Sequence, residues 1–223
     1  MRRTAYRALL CVGLLAVITP VRAESTPPAV LAENAVGAYE AGRLDEAARL
    51  FERAARAGNR LAQFNLAMML YRKETTDAEP DAAWRWLRRA ATAGLSQAQF
   101  NLALLYDHGN GVKKSLPTAA EWYRRAAEQG HTEAQISLAS MYFVGQGVAR
   151  DYAAAARWYL AAARSGHVGA QYIIGSMYEA GDGVAADVQQ AAHWYLQAAQ
   201  QGDIVAREKY QALNAQPEPA PTQ

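Results

Sequence analysis

The sequence predicts an all-α, right-handed solenoid of stacked helix hairpins, about eleven helices in all. Three observations predict it. Glycines stand at Gly58, Gly94, Gly130, Gly166 and Gly202, a constant step of 36 residues. Between them the same residues return: Ala98-Gln99, Ala134-Gln135 and Ala170-Gln171; Tyr106, Tyr142 and Tyr178; Gly-x-Gly-Val from Gly109, Gly145 and Gly181; Trp122-Tyr123, Trp158-Tyr159 and Trp194-Tyr195. Counted from each Gly, apolar or small residues recur at offsets 4, 8, 9 and 12, then at 25, 28, 29, 32 and 33. Steps of three and four draw one apolar stripe on each of two helices. A fixed period of this length marks supersecondary units that bury their apolar faces only against one another.

Taken in order, the chain opens with a targeting segment. Arg2, Arg3 and Arg7 precede an apolar run from Ala8 to Ile18, followed by Pro20 and Val21-Arg22-Ala23, a small-residue cleavage pattern. The run is too short to span a bilayer. Residues 1–23 are therefore expected to be a cleaved signal peptide, leaving a periplasmic or secreted chain without a membrane span. The segment holds four of the 23 basic residues and none of the 21 acidic ones, so the remainder is net −2. The basic balance of the precursor thus gives no argument for nucleic acid. The single cysteine, Cys11, lies in the same segment, which excludes a disulfide framework downstream.

Residues 24–28 read as a polar lead-in. Residues 29–57 read as an atypical hairpin turned at Gly42-Arg43, suited to cap the stack like a tetratricopeptide unit. Unit 58–93 keeps both helices but has Lys73-Glu74-Thr75-Thr76 in place of Gly-x-Gly-Val, and Trp84 where other units have Ala. Units 94–129, 130–165 and 166–201 are regular. In each, Gly-x-Gly supplies positive φ and ends the first helix. Ser115, Asp151 and Asp187 stand where the second helix needs an N-cap. Paired alanines such as Ala126-Ala127 permit close helix approach, and the Trp of each unit fills the space between hairpins. Residues 202–214 read as a capping helix and 215–223 as a Pro-rich disordered tail.

The motif Ala-Gln-x-x-Leu-Ala/Gly-x-x-Tyr, Gly-x-Gly-Val, Asp, Trp-Tyr, Ala-Ala, Gly resembles the Sel1-like repeat, a cousin of the tetratricopeptide repeat. The resemblance implies a binding scaffold or regulator, with family roles such as restraining a sensor kinase or organising envelope and polysaccharide-export assemblies. A structural spacer in such a complex is one alternative. Cysteine-rich relatives also suggest a β-lactam-binding or hydrolytic protein, but those carry paired cysteines that this chain lacks.

Chemistry is sparse. No Ser-x-x-Lys, Gly-x-Ser-x-Gly, Walker or His-Glu-x-x-His motif occurs, so neither an enzyme nor a cofactor is expected. His131 and His167 occupy equivalent places in adjacent units, roughly one helix diameter (~10 Å) apart. Zinc ligands sit at about 2 Å from their metal, so the two histidines read as loop residues. Positions that differ between units are free to carry specificity. On the first helices, offsets 6, 10 and 13 form a stripe beside the core stripe, and by analogy with tetratricopeptide solenoids it lines a concave groove. Offset 6 holds Phe64, Phe100, Ile136 and Tyr172; offset 10 Met68, Leu104, Ser140 and Ser176; offset 13 Tyr71, Asp107, Phe143 and Glu179. The expected ligand is a protein or peptide segment, with Tyr71 and Phe143 as exposed aromatic anchors and Asp107 orienting a basic or amide group. Unit 58–93 is net +2 and unit 166–201 net −3. On the second helices Arg88-Arg89 and Arg124-Arg125 give way to Leu160 and Leu196, a candidate second patch.

Overall fold

A computed structural model describes residues 26–75 and 81–215. The segment expected as a signal peptide, the start of the expected lead-in and the expected tail from residue 216 onward lie outside the described residues. Among the described residues eleven α-helices follow one another: α1 (Pro28–Glu40), α2 (Leu44–Arg56), α3 (Arg60–Tyr71), α4 (Ala82–Thr92), α5 (Ser96–His108), α6 (Leu116–Glu128), α7 (Thr132–Val144), α8 (Tyr152–Arg164), α9 (Val168–Ala180), α10 (Val188–Gln200) and α11 (Ile204–Asn214). Each packs against its neighbours in sequence, within a hairpin and then between hairpins. The core is therefore a row of small clusters joined end to end, as a solenoid requires.

Local chemistry sets the helix ends. Gly109, Gly145 and Gly181 end α5, α7 and α9 with φ of 79°, 82° and 78°, which only a residue without Cβ adopts freely. The second glycine of the loop has a different task. A Cβ on Gly147 would stand 2.6 Å from the Leu116 carbonyl carbon and oxygen, and one on Gly183 would overlap the Tyr152 carbonyl. The loops of units 130–165 and 166–201 thus rest their backbone on the first turn of the preceding unit's second helix. Ser115, Asp151 and Asp187 accept backbone N–H groups at the starts of α6, α8 and α10.

The histidines expected as loop residues turn out to be caps. His131 and His167 accept the N–H of Ala134 and Ala170 at 3.3 and 3.2 Å through Nδ1. Asn59 and Asp203 serve the same position at 2.9 Å. Cap duty requires a bare Nδ1, so the proton of neutral His131 sits on Nε2, which donates to Gln97 Oε1 at 3.2 Å. Burial pushes the His131 ring below its ordinary range; Glu133, 3.2 Å from Nδ1, opposes that shift but would take the acceptor away from the helix.

The Ala-Gln signature also gains a physical reason. Gln63, Gln99, Gln135 and Gln171 are buried, and each donates Nε2 to a carbonyl in the last turn of the preceding unit's second helix, at 3.1–3.2 Å. The amide gives a second donor to a C-terminal carbonyl that already accepts the N–H of the unit's closing glycine at 2.9–3.1 Å, and so ties one unit to the next. Between units the tryptophans bridge clusters: Trp86 touches the first and second hairpin cores, Trp122 and Trp158 the next pairs. The paired alanines Ala126-Ala127 and Ala162-Ala163 are fully packed beneath them.

Candidate functional site

Every residue of the stripe at offsets 6, 10 and 13 keeps some exposure, and none is buried. The stripe is not uniform. At offset 6, Phe64, Phe100, Ile136 and Tyr172 are half-buried against the hairpin cores. Phe100 lies between Tyr123 at 5.8 Å and the stacked His131 ring at 4.5 Å, so part of its surface supports the next unit. Tyr172 leans on Tyr195 in the same way, at 5.6 Å.

At offset 13 the residue type follows a second-helix partner sixteen positions later. Tyr123 donates its hydroxyl to Asp107 at 3.2 Å, and Tyr195 donates to Glu179 at 2.6 Å. Both tyrosine rings are buried, but their hydroxyls reach the stripe, and burial beside a carboxylate pushes both far above the ordinary phenol range. Lys209 of α11 adds an ion pair to Glu179 at 3.0 Å, and the two donors hold that carboxyl below its usual range. Where the unit offers Phe143, its partner Tyr159 bonds Ser140 instead, which tempers the rise that burial causes. Ser176 does the same for Tyr195.

These contacts correct two expectations. Asp107, expected to orient a basic or amide group, already has one oxygen taken by the Tyr123 hydroxyl. Phe143 is not a freely exposed anchor: it is half-buried on the α8 core and meets the Tyr152 ring edge-on at 5.0 Å. Tyr71 is the exposed aromatic, at 59%. Its unit has Leu87 where the others place the tyrosine, so no second-helix hydroxyl reaches it.

That substitution opens space. Leu87 is shorter than Tyr, and α4 begins two residues later in its unit than α6, α8 and α10 do in theirs. A cavity of about 1080 Å³ lies between the units, lined by Met68 and Tyr71 of α3, Trp84 and Leu87 of α4, Leu104 of α5 and Lys113 of the following loop, among others. Met68, Leu104 and Tyr71 were legible as stripe positions. The contribution of Trp84 was not, because its neighbours across the gap belong to another unit.

The second-helix row is more ordinary. Arg88, Arg89 and Arg125 lie over Trp84, Trp86 and Trp122 at 5.3, 4.7 and 4.7 Å. Arg124 and Arg125 both pair with Glu121, whose carboxyl is held low chiefly by Arg124. Leu160 and Leu196 are half-buried, and Leu160 packs on the α8–α9 core. Among the described residues no group of three His, Cys, Asp or Glu side chains could hold a metal ion, and no helix is long and apolar enough to cross a membrane.

The family model described as Sel1 repeat matches residues 31–59, 60–95, 96–131, 132–167 and 168–203, most of the chain. The chain belongs to the Sel1-repeat family. The match takes in the first hairpin as well as the four 36-residue units. The Sel1-repeat chain is similar to the solved structure of c5321, a protective antigen of uropathogenic Escherichia coli with an SLR fold, at 35% identity and a TM-score of 0.75. That likeness covers 86% of this chain and 42% of the antigen, so this chain spans less than half of that protein's length. A Sel1 repeat protein from Oxalobacter formigenes is 31% identical with a TM-score of 0.74, over 80% of this chain and 74% of that one. No curated protein matches. Sel1-repeat solenoids are typically protein-interaction scaffolds rather than enzymes.

Proposed function

We propose that this Sel1-repeat protein is a non-catalytic, exported scaffold or regulator that holds a segment of a partner protein along the first-helix stripe. The observation that carries the reading is the stripe itself. Twelve positions on four successive first helices remain at least partly exposed, while the flanking offsets 4, 8 and 9 are packed. At offset 10 they vary from Met68 and Leu104 at one end to Ser140 and Ser176 at the other. Periplasmic placement rests on the Arg-rich, apolar leader and the Val21-Arg22-Ala23 pattern.

The test is a photo-crosslinking amino acid introduced in cells at Tyr71 and, separately, at the outward-facing position Arg53 of α2. The reading expects one defined protein adduct from position 71, none from position 53, and recovery of the adduct with the envelope fraction. Equal or absent adducts at both positions would remove the groove from consideration. N-terminal sequencing of the recovered protein should begin at Glu24; an intact Met1 would refute cleaved export.

A further inference from the structure

The cavity between α3, α4 and α5 goes beyond the general stripe, because its chemistry selects an occupant. Its walls are Met68, Leu87, Leu104 and the Trp84 ring, an apolar volume large enough for an indole or phenyl group. One polar feature faces this space without a partner. The Trp84 ring lines the cavity, but its Nε1–H is closed off from solvent and so from whatever the cavity holds. Lys113 lines it from the α5–α6 loop, is exposed and forms no ion pair with any described residue. The acid at the rim, Asp81, is engaged by Arg85 at 3.6 Å. Unit 58–93 is itself net +2, against net −3 for unit 166–201. What the cavity lacks is therefore an apolar ring and an anion for the ammonium group.

We infer that the cavity receives one aromatic side chain of a partner segment in which acidic residues flank that aromatic. The ring fills the space left by Leu87 and packs against the Trp84 ring, and a carboxylate pairs with Lys113. This inference rests on the groove reading but localises the anchor to one junction between units. A basic segment is disfavoured by the same charge balance.

The probe is the labelled peptide acetyl-Glu-Asp-Trp-Phe-Asp-Glu-amide, with one counterpart carrying Lys at every acid and another carrying Ser at both rings. Anisotropy titrations use the mature chain, residues 24–223. The acidic aromatic peptide should bind, with each counterpart at least tenfold weaker and Lys113→Glu at least threefold weaker for the acidic peptide. In indole ¹H–¹⁵N spectra the Trp84 signal, assigned with Trp84→Phe, should shift on binding. The Trp194 signal should stay, although its Nε1–H also lacks a partner. No binding, equal binding of the acidic and Lys peptides, or a Trp84 signal that does not move would each overturn the inference. If one of these occurs while the Tyr71 crosslink still captures a protein, the groove reading stands and only the cavity assignment fails.

Discussion

Unit 58–93 and unit 166–201 share one frame and spend their free positions differently. Both bury Ala and Gln at the start of the first helix, both tie that Gln to the preceding helix end, and both place Trp between hairpins. In unit 166–201, Tyr195 fills the hairpin, Glu179 accepts its hydroxyl and Gly181 turns the chain with φ of 78°. In unit 58–93, Leu87 leaves the space open, Tyr71 stands exposed, and Lys73 takes the left-handed turn at φ 57° although it carries a Cβ. A non-glycine residue in that region costs about 1 kcal/mol, and the unit sustains it. The difference teaches that a repeat can drop its loop consensus when its helices stay locked to both neighbours, and that a cavity then opens between units.

Breaking the regular loop should have the largest effect. Gly147→Val adds a β-branched side chain at φ 73° and drives it into the Leu116 backbone, for an expected loss of about 3–5 kcal/mol. Gly111 has a similar φ of 72°, but no described atom lies within 4 Å of its Cβ position. Gly111→Val should therefore cost about 1–2 kcal/mol, the conformational part alone. Denaturant midpoints of the two variants measure the contrast directly, and equal losses would show that the regular and altered junctions do not differ.

Trp158→Ala comes next. The ring touches the cores of two successive hairpins and is half-buried, so about 3 kcal/mol is expected, seen as a lowered thermal midpoint.

A gain sharpens the comparison more finely. Gln129 and Gln201 donate to the buried Oε1 of Gln99 and Gln171 at 2.7 and 2.8 Å. The equivalent residues in the other two units are Ala93 and Ser165, and there Gln63 and Gln135 keep a buried Oε1 without a partner. Ser165→Gln should supply the missing donor and raise stability by about 1 kcal/mol. A neutral or negative result in a thermal melt would mean that water already serves that oxygen.

The smallest effect is on acid stability. The Glu179 carboxyl is held below its usual value near 4.5, first by the Tyr195 hydroxyl and then by Lys209. A depressed carboxylate contributes stability that is present above the unfolded value and lost as pH falls through the folded one. Between about pH 5 and pH 3 the wild-type midpoint should fall further than that of Glu179→Gln. Parallel curves would show that this pair adds nothing to the fold.

The period of the sequence was enough to determine the helices, their order, the glycine turns and the Ser115, Asp151 and Asp187 caps. These depend on residues close in the chain, and repetition makes each signal appear several times. It also picked out the stripe, since positions that vary between units stand apart from those that do not. Other features required the three-dimensional arrangement. Nothing local tells that Gln63 and its equivalents reach back to a previous helix, or that Tyr123 and Tyr195 surface beside Asp107 and Glu179. Phe143 lost its freedom to Tyr152, nine residues ahead across a turn. Trp84, Leu87 and Lys113 meet Met68 and Leu104 only because two units stack, so their cavity is a property of the junction. A periodic sequence specifies what every unit must do alike; how far one unit's irregular side chains reach into the next is decided by packing between units.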